Sequence, residues 1–201
     1  MLKKHLPYSQ ACENNKQPIL EVLTQYIFNQ ESLLEIASGT GQHGEFFAQK
    51  FPNLRWQASD VTKAVAELNL RISEAKLENL PLALPLDVNN SNWGMGNYEL
   101  LFTANSLHIM SEKSVKRFFA GIPSILKKQG LVFIYGPFKY EGEFTTESNA
   151  QFDDWLKTRD QESGIRDFEN INILAADAGL NLVVDVSMPA NNQMLVFSRS
   201  E

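Results

Sequence analysis

A glycine-rich segment between a short apolar run and an amphipathic stretch constrains the fold of this chain more than any other feature. The apolar run is SLLEIA (32–37), the segment is SGTGQHG (38–44), and GQHGEFFAQKF (41–51) has helical spacing. A short apolar run bounded by turn residues predicts a buried strand. Glycines allow the tight backbone turn that leads from such a strand into a helix. The segment therefore predicts a strand–loop–helix unit whose loop can hold a ligand at the helix N-terminus.

Strand and helix patterns alternate along the rest of the chain. Further strands are predicted at LRWQAS (54–59), PLALPL (81–86), YELLFT (98–103) and LVFIYG (131–136). A first helix covers about 19–27 with Pro18 near its start, and others are predicted at 63–76, at 115–126 with an interruption at Pro123, and around 150–160 and 168–178. Gly179 marks the end of the last helix, and 137–150 is predicted to be a loop. This alternation predicts a parallel sheet with helices on both faces.

The chain closes with two strand patterns, LNLVVDVS (180–187) and QMLVFSRS (193–200), joined by the five residues MPANN. A parallel crossover needs about a dozen residues or more, so these two strands must be antiparallel. If the sixth strand is parallel to the first five, the MPANN connection lies at the same sheet edge as the glycine loop.

Composition and charge narrow the function classes. The formal net charge of −6, with no run of Lys or Arg, argues against a nucleic-acid partner. His5, His43, His108 and the single Cys12 give no metal-ligand spacing, so no metal is expected. One cysteine fits a reducing compartment, and neither a secretory signal nor a membrane span is predicted. We expect a soluble cytoplasmic protein without a membrane partner; the pattern leaves its oligomeric state open.

The glycine loop is compatible with two kinds of cofactor. Gly39, Gly41 and Gly44 spell GxGxxG, a pattern that also occurs in nicotinamide dinucleotide sites. Glu35, near the end of a buried strand, favours S-adenosylmethionine (SAM), because a buried carboxylate needs a partner such as a ligand ammonium or backbone amides. Asp60 ends the second strand 19 residues after Gly41, where an acid accepts from ribose hydroxyls.

The third strand also ends in an acid. Class I methyltransferases often carry an acid at this position that accepts from the adenine amino group, with an apolar neighbour against the ring, and similarity to them makes Asp87 and Val88 candidates for these two roles. Both acids have structural alternatives. Asp60 precedes VTKAV and could be a helix N-cap, and Asp87 could simply form a loop.

Beyond these residues, the chain resembles an uncharacterised methyltransferase-like family within the class I SAM-dependent methyltransferases. The resemblance runs through EIASGTGQH (35–43), SD (59–60), LPLDV (84–88), ANSLHI (104–109), YGPF (135–138), TTESNAQFDDWL (145–156), GIRDFE (164–169), MPANNQMLVF (188–197) and SQACENNKQPIL (9–20). Asn14 departs from the family pattern, in which Arg is usual, so a charged role at that position is in doubt.

The resemblance implies a doubly wound, Rossmann-like α/β fold. Its seven-stranded sheet is mostly parallel, with an antiparallel last strand. It also implies one domain over 1–201, with an N-terminal helical segment (1–30) over the pocket and an α/β core (31–201). SAM would be the cofactor and S-adenosylhomocysteine the product. The cofactor contacts expected on this basis are Glu35, Ala37, Ser38, Gly39, Gly41, His43, Asp60, Asp87, Val88 and Asn105.

The segment after the fourth strand bears on the chemistry. Methyl transfer chiefly requires alignment of the acceptor and exclusion of water. ANSLH (104–108) lacks the Asn/Asp-Pro-Pro-Tyr/Phe signature of amino-methylating enzymes, and no cysteine lies near a strand end for covalent catalysis. His108 is the best candidate for a general base. It could instead cap the following turn or pack beneath the cofactor, while Asn105 either contacts the cofactor or braces the loop.

Polar and aromatic residues late in the chain could form the acceptor pocket. The candidates are Tyr135, Phe138, Asn149, Arg166, Asn191 and Asn192. For the two last asparagines the alternative is a plain turn. For Arg166 it is a surface ion pair with Asp167 or Glu169.

The sequence thus predicts a methyltransferase for a small polar acceptor that it does not identify. A SAM-binding module without turnover, acting through a partner protein, is the first alternative. A dinucleotide-dependent oxidoreductase is the second.

Overall fold

The computed structural model describes residues 6–94 and 96–201, and His5 lies outside them. The chain divides into two compact units, Met1–Asp87 and Val88–Glu201. Whether they act as the single domain predicted over 1–201 stays a prediction.

The first unit contains a three-stranded parallel sheet. In chain order its elements are α1 (Gln10–Leu23), β1 (Ser32–Ile36), α2 (Gln42–Lys50), β2 (Arg55–Asp60), α3 (Thr62–Ala75) and β3 (Leu84–Pro85). β1 pairs with β2 from Ser32↔Arg55 to Ile36↔Ser59, and β2 pairs with β3. The core forms from apolar side chains that these elements bury, among them Leu33, Phe47, Trp56 and Leu68.

Two predictions for the first unit need correction. The first helix begins at Gln10, because Ser9 caps it by accepting from the Cys12 N–H, so Pro18 lies inside the helix and not near its start. The strand predicted at 81–86 is reduced to Leu84–Pro85. Its prolines lack the N–H groups that a longer ladder requires.

The second unit carries the rest of the strand–helix alternation. Its elements are β4 (Tyr98–Ala104), α4 (Glu112–Gly121), β5 (Leu126–Gly136), β6 (Phe138–Tyr140), β7 (Glu143–Phe144), α5 (Glu147–Arg159), β8 (Arg166–Asp167), α6 (Phe168–Asp177), β9 (Leu180–Met188) and β10 (Asn192–Arg199). β4 and β5 are parallel, and β10 is antiparallel to both β5 and β9. The strand order in this unit is therefore β4-β5-β10-β9.

Within the second unit, β7-β6-β8 form a small separate sheet. The parallel pairs in each unit and the antiparallel β10 agree with the predicted mostly parallel sheet whose last strand is antiparallel. Gly179 has φ of 72° just after α6, as its predicted role as a helix stop requires.

Two further predictions were wrong in the second unit. Residues 137–150 are not one loop, since they contain β6, β7 and the start of α5. The helix predicted to continue to Leu126 ends at Gly121, a short 3-10 turn over Ile122–Ser124 carries Pro123, and Leu126 begins β5. Ile125 and Leu126 are therefore buried at the start of β5 and not on a helix face.

Candidate functional site

The glycine loop connects β1 to α2 through a series of left-handed residues. Ala37, Gly39 and Gly41 have φ values of 60°, 56° and 76°. Gly41 is the N-cap of α2, and its N–H donates to the Ser38 carbonyl over 3.0 Å. Glycine adopts these conformations without a steric penalty, whereas Ala37 does so under strain. The loop is thus specified by its own backbone.

Close neighbouring atoms explain why two positions of this segment are glycine. A Cβ on Gly41 would lie 2.6 Å from Leu68 Cδ1, and one on Gly44 would lie 3.1 Å from Glu35 Oε2. A Cβ on Gly39 would meet no atom within 4 Å. The middle of the loop is therefore tightly packed against α3, while its tip at Gly39 is open to an approaching ligand.

Asp60, the last residue of β2, is attached to this loop. Its Oδ2 accepts from the Gly39 N–H over 2.7 Å, and its Oδ1 accepts from the Val61 N–H over 2.7 Å. The N-cap of α3 is Val61, which has no side-chain cap bond, so Asp60 is not the N-cap residue that the alternative interpretation required. Each carboxylate oxygen retains capacity for a second hydrogen bond.

Glu35 is buried at 2% exposure beneath the loop. Its Oε2 accepts from the Trp56 indole N–H over 2.8 Å. Burial raises the pKa of Glu35 to about 7, against the opposing effect of its bonds from Trp56 and Ser38. The partner required by this carboxyl group is therefore an indole from β2, which the sequence analysis did not foresee.

His43 faces α1. Its Nε2 lies 2.7 Å from Asn15 Oδ1, and its ring stacks on Phe47 with centroids 5.5 Å apart. Burial lowers the pKa of His43 to about 4, so the ring is neutral near pH 7. These contacts join α1 to α2.

The remaining predicted cofactor contacts flank strand ends. Asp87 follows β3 at the end of the first unit, and Val88 is buried at the start of the second. Asn105 follows β4 with φ of 55°, and its N–H donates to the Tyr135 carbonyl over 2.8 Å. Asn105 thus fixes the turn that leads from β4 toward His108.

His108 lies in the segment between β4 and α4 and is 6% exposed. Its ring meets Phe152 of α5 edge to face at 5.3 Å, and its carbonyl accepts from the Gly164 N–H over 2.9 Å. Burial lowers the pKa of His108 to about 4, and the charge of Arg166 lowers it further. At neutral pH this imidazole is uncharged and only weakly basic.

Arg166 binds backbone carbonyls of the same segment. Its Nε donates to the Leu107 carbonyl over 3.2 Å, and its Nη2 donates to the carbonyls of Met110 and Glu162. Glu112 lies 4.0 Å from its Nη1. The predicted alternative of an ion pair with Asp167 or Glu169 is wrong, since those carboxylates accept from the backbone of the β6–β7 turn.

The three predicted asparagines differ in their contacts. Asn149 is buried, and its Nδ2 donates to Thr145 Oγ1 over 2.9 Å and to the Asn191 carbonyl over 3.0 Å. The Asn191 side chain donates to Ser148 Oγ over 3.1 Å. Asn192 turns back onto the carbonyls of Pro189 and Ala190. The structure thus brings Asn149 and Asn191 together, while Asn192 closes its own turn.

Strand register locates this turn within the second unit. Gln193 pairs with Gly136 at the end of β5, and Tyr135 pairs with Ala104 at the end of β4. Residues 189–192 therefore lie at the edge of the sheet where β4 and β5 end, the edge from which the His108 segment departs. Tyr135 and Phe138 are buried there, at 3% and 2% exposure.

Several residues that hold the two loops were not found from the sequence. They are Asn15, Gln42, Trp56, Arg71, Phe152 and Gly164. Four of them, Asn15, Gln42, Phe152 and Gly164, belong to the quoted family motifs, which was an available signal. Arg71 looks like an ordinary charged helix residue. Within residues 6–94 and 96–201 no cluster of three or more His, Cys, Asp or Glu could hold a metal ion, and none of the helices is long and apolar enough to cross a membrane.

Comparison with solved structures identifies the fold. An O-methyltransferase family protein from Burkholderia thailandensis matches with a TM-score of 0.81 and 16% identity, over 95% of this chain and 58% of that one. Human N-acetylserotonin methyltransferase, solved with SAM, matches with a TM-score of 0.78 and 14% identity, over 96% and 53%. An O-methyltransferase family 2 protein from Planctomyces limnophilus, in complex with apigenin, matches with a TM-score of 0.77 and 15% identity, over 94% and 60%.

This chain spans little more than half the length of these proteins. At such identities the likeness concerns the fold, and it confirms the predicted class I methyltransferase architecture. The family model described as "Protein of unknown function (DUF938)" matches residues 6–199. The chain therefore belongs to the DUF938 family and has the fold of the class I methyltransferases.

Proposed function

We propose that this protein is a SAM-dependent methyltransferase that binds its cofactor at the glycine loop and acts on a small polar acceptor. The observation that carries the proposal is the bond between Asp60 Oδ2 and the Gly39 N–H, 2.7 Å long. It brings a carboxylate able to accept ribose hydroxyls to the open tip of a loop at a helix N-terminus. This is the arrangement expected for an adenosine-containing cofactor.

The residues present fit such a cofactor. Gly39 leaves space for a ligand and Asp60 retains lone pairs, and we propose Ala37, Ser38 and Gly41 as further contacts because they belong to the same loop. Asp87, Val88 and Asn105 remain proposed contacts, as does Glu35 beneath the loop. His43 is assigned instead to the packing of α1 on α2, because its Nε2 is already bonded to Asn15.

The strand order favours SAM over a dinucleotide. In the second unit β10 is antiparallel and lies between β5 and β9. The common dinucleotide-binding sheet instead has the order 3-2-1-4-5-6 and is mostly parallel. The three matched structures are methyltransferases by their names, and one of them was solved with SAM.

For the reaction itself, bound SAM would supply an electrophilic methyl group. The chain's own task is to align the acceptor and to exclude water. We assign His108 to this task as a neutral side chain, because a pKa of about 4 makes it a weak base near pH 7. The acceptor is then a group that needs no strong base to react.

The proposed acceptor site is the edge of the second unit where β4 and β5 end. Tyr135 and Phe138 supply apolar and aromatic surface, and Asn149 with Asn191 supplies amide groups. Arg166 is proposed to act there only by holding the His108 segment, since its donors face carbonyls. A small-molecule acceptor agrees with the apigenin complex of one matched fold. A cytoplasmic location stays a prediction.

The test is calorimetric titration with SAM, S-adenosylhomocysteine and NAD separately. We expect the first two to bind and NAD to give no heat at millimolar concentration. Asp60→Ala should weaken SAM binding by roughly 1.5–3 kcal/mol, about ten- to hundredfold, because a hydrogen bond to a charged group is lost. Asn192→Ala is the control and should bind SAM as the wild type does, since its side chain contacts its own turn.

A micromolar dissociation constant for NAD would overturn the cofactor assignment. Transfer of labelled methyl groups from SAM into a metabolite extract then distinguishes an enzyme from a SAM-binding module. Binding of SAM without any methyl transfer would favour the SAM-binding module.

A further inference from the structure

Residues 7–15 are hydrogen-bonded to the glycine loop and its neighbours at several points. We infer that Arg71 of α3 is a positioning residue for the cofactor, which holds the glycine loop and this N-terminal segment together. The inference rests on the proposed function, because it assumes that the glycine loop binds SAM. No part of the glycine motif names Arg71, and the family resemblance assigned it no role.

The guanidinium of Arg71 makes three bonds to three different parts of the first unit. Its Nε donates to the Thr40 carbonyl over 2.7 Å, within the glycine loop. Its Nη2 donates to the Pro7 carbonyl over 2.6 Å, and its Nη1 donates to Glu45 Oε2 of α2 over 2.7 Å. The side chain is only 11% exposed, so these bonds are shielded from water. A planar group with several fixed donors is suited to such a junction, and lysine cannot reproduce it.

The stem of Arg71 also supports the loop. A Cβ on Gly41 would lie 3.2 Å from Arg71 Cδ, so the methylenes lie directly against that residue. On the other side, Asp60 holds the Gly39 N–H. The peptide groups around Thr40 are therefore fixed from two directions, by Asp60 at the loop tip and by Arg71 behind it.

Gln42 makes a second connection to the N-terminal segment. Its Oε1 accepts from the Ser9 N–H over 2.6 Å, and its Nε2 donates to Glu13 Oε1 over 2.7 Å. Gln42 is the first residue of α2, so it moves with the loop that precedes it. Through Arg71 and Gln42, an ordered glycine loop and a docked N-terminal segment each favour the other.

This arrangement affects binding through preorganisation. A loop with three left-handed residues is costly to order, and a ligand that must order it binds more weakly. Arg71 supplies that order before the ligand arrives. Because coupling between two sites is reciprocal, SAM binding should in turn stabilise the docked form of residues 7–15.

The test compares wild-type protein with Arg71→Gln, Arg71→Lys and the control Arg55→Gln, an exposed arginine at the start of β2. Calorimetry should give roughly tenfold weaker SAM binding for R71Q, since charge-assisted bonds to the loop are lost. R71K should fall between R71Q and wild type, because its ammonium keeps one charged partner. R55Q should bind as the wild type does.

Hydrogen exchange measures the coupling directly. SAM should slow exchange of the Ser9, Cys12 and Glu13 amides in the wild type and in R55Q, and should do so less in R71Q. Equal SAM affinity and equal protection in R71Q and wild type would overturn the inference while leaving the proposed function intact. Failure of the wild type to bind SAM would instead remove the proposed function.

If R71Q does not fold, the hydrogen-exchange experiment on the wild type alone tests the coupling between SAM binding and the N-terminal segment. SAM binding that leaves residues 9–13 unprotected would contradict the coupling.

Discussion

In the first unit the path of the glycine loop follows from its own left-handed residues, to which Asp60 and Arg71 add bonds, whereas in the second unit the segment between β4 and α4 is held entirely by contacts with distant residues. The loop needs left-handed residues at 37, 39 and 41, and two of these are glycines. The His108 segment adopts its conformation because Arg166 and Gly164 bind its carbonyls and Phe152 packs on its ring. A cofactor loop of this kind can therefore be predicted from the sequence, while the conformation of the His108 segment depends on contacts with residues more than forty positions away.

Because the glycine loop depends on conformations that few residues adopt, we expect even one added methyl group there to lower stability and SAM binding. Gly41→Ala should lower the free energy of unfolding by about 2 kcal/mol, because the residue has φ of 76° and its Cβ would lie 2.6 Å from the buried Leu68. SAM binding should fall below detection. Urea denaturation and calorimetry measure the two effects.

Gly39→Ala is the matched variant. It shares the left-handed conformation but meets no atom within 4 Å, so we expect a stability loss of only about 1 kcal/mol. If the two variants lose the same stability, the close approach of residue 41 to Leu68 does not contribute, and the left-handed conformation accounts for the loss at both positions.

The buried carboxyl group of Glu35, in the first unit, should also make the free energy of unfolding depend on pH. Folded Glu35 keeps its proton up to about pH 7, whereas the unfolded group loses it near 4.5. Between these values the folded state binds more protons, so stability falls as pH rises. Glu35→Gln removes this dependence and can still accept from the Trp56 indole.

Relative to this variant, the wild type should lose about 2 kcal/mol of unfolding free energy between pH 5 and 7.5. His43 and His108 act in the opposite sense, because their lowered pKa values of about 4 cost stability as pH falls. The difference between wild type and E35Q, measured by urea unfolding at pH 5 and 7.5, isolates the carboxyl group. The same change in unfolding free energy for wild type and E35Q would mean that Glu35 is ionised in the folded protein.

Two asparagine side chains of the second unit test the stability of its turn at 189–192, with smaller expected effects. Asn149→Ala removes bonds to Thr145 and to the Asn191 carbonyl at a buried position, so we expect a loss of about 1–2 kcal/mol in unfolding free energy. Asn192→Ala should cost less than about 0.5 kcal/mol, because its bonds are exposed. Thermal unfolding of both variants measures this, and equal losses would show that the turn at 189–192, not the α5 contact, carries the stability.

Sequence reasoning succeeded where a local rule determines the structure. The glycine loop, the strand end at Asp60 and the helix stop at Gly179 follow from conformations that few residue types can adopt. The antiparallel final strands followed from the shortness of their connection. Each of these conclusions needed fewer than about twenty neighbouring residues.

It failed where the partner of a side chain is distant or is a backbone atom. The predicted ion pair of Arg166 with Asp167 or Glu169 is wrong, because this side chain donates to backbone carbonyls, which every residue possesses. Glu35 was expected to need a ligand or amides, and its partner is Trp56 on the next strand. Pro18 was taken as a start signal, although Ser9 had already supplied a cap. The helix predicted over 115–126 extended too far, because a buried strand and the buried face of a helix both require apolar residues.

The position of β10 has a consequence for how the second unit is assembled. β9 lies at the end of the strand order and pairs with β10, which is the later strand of the two. During synthesis, residues 180–188 thus emerge before residues 192–199, the strand that joins them to β5. Only three residues separate the two strands, so they can pair as a hairpin on a timescale of about 1–10 μs. We expect such a hairpin to add both strands to β5 together, which shortens the time that the exposed Leu182 and Val183 spend on an unpaired strand.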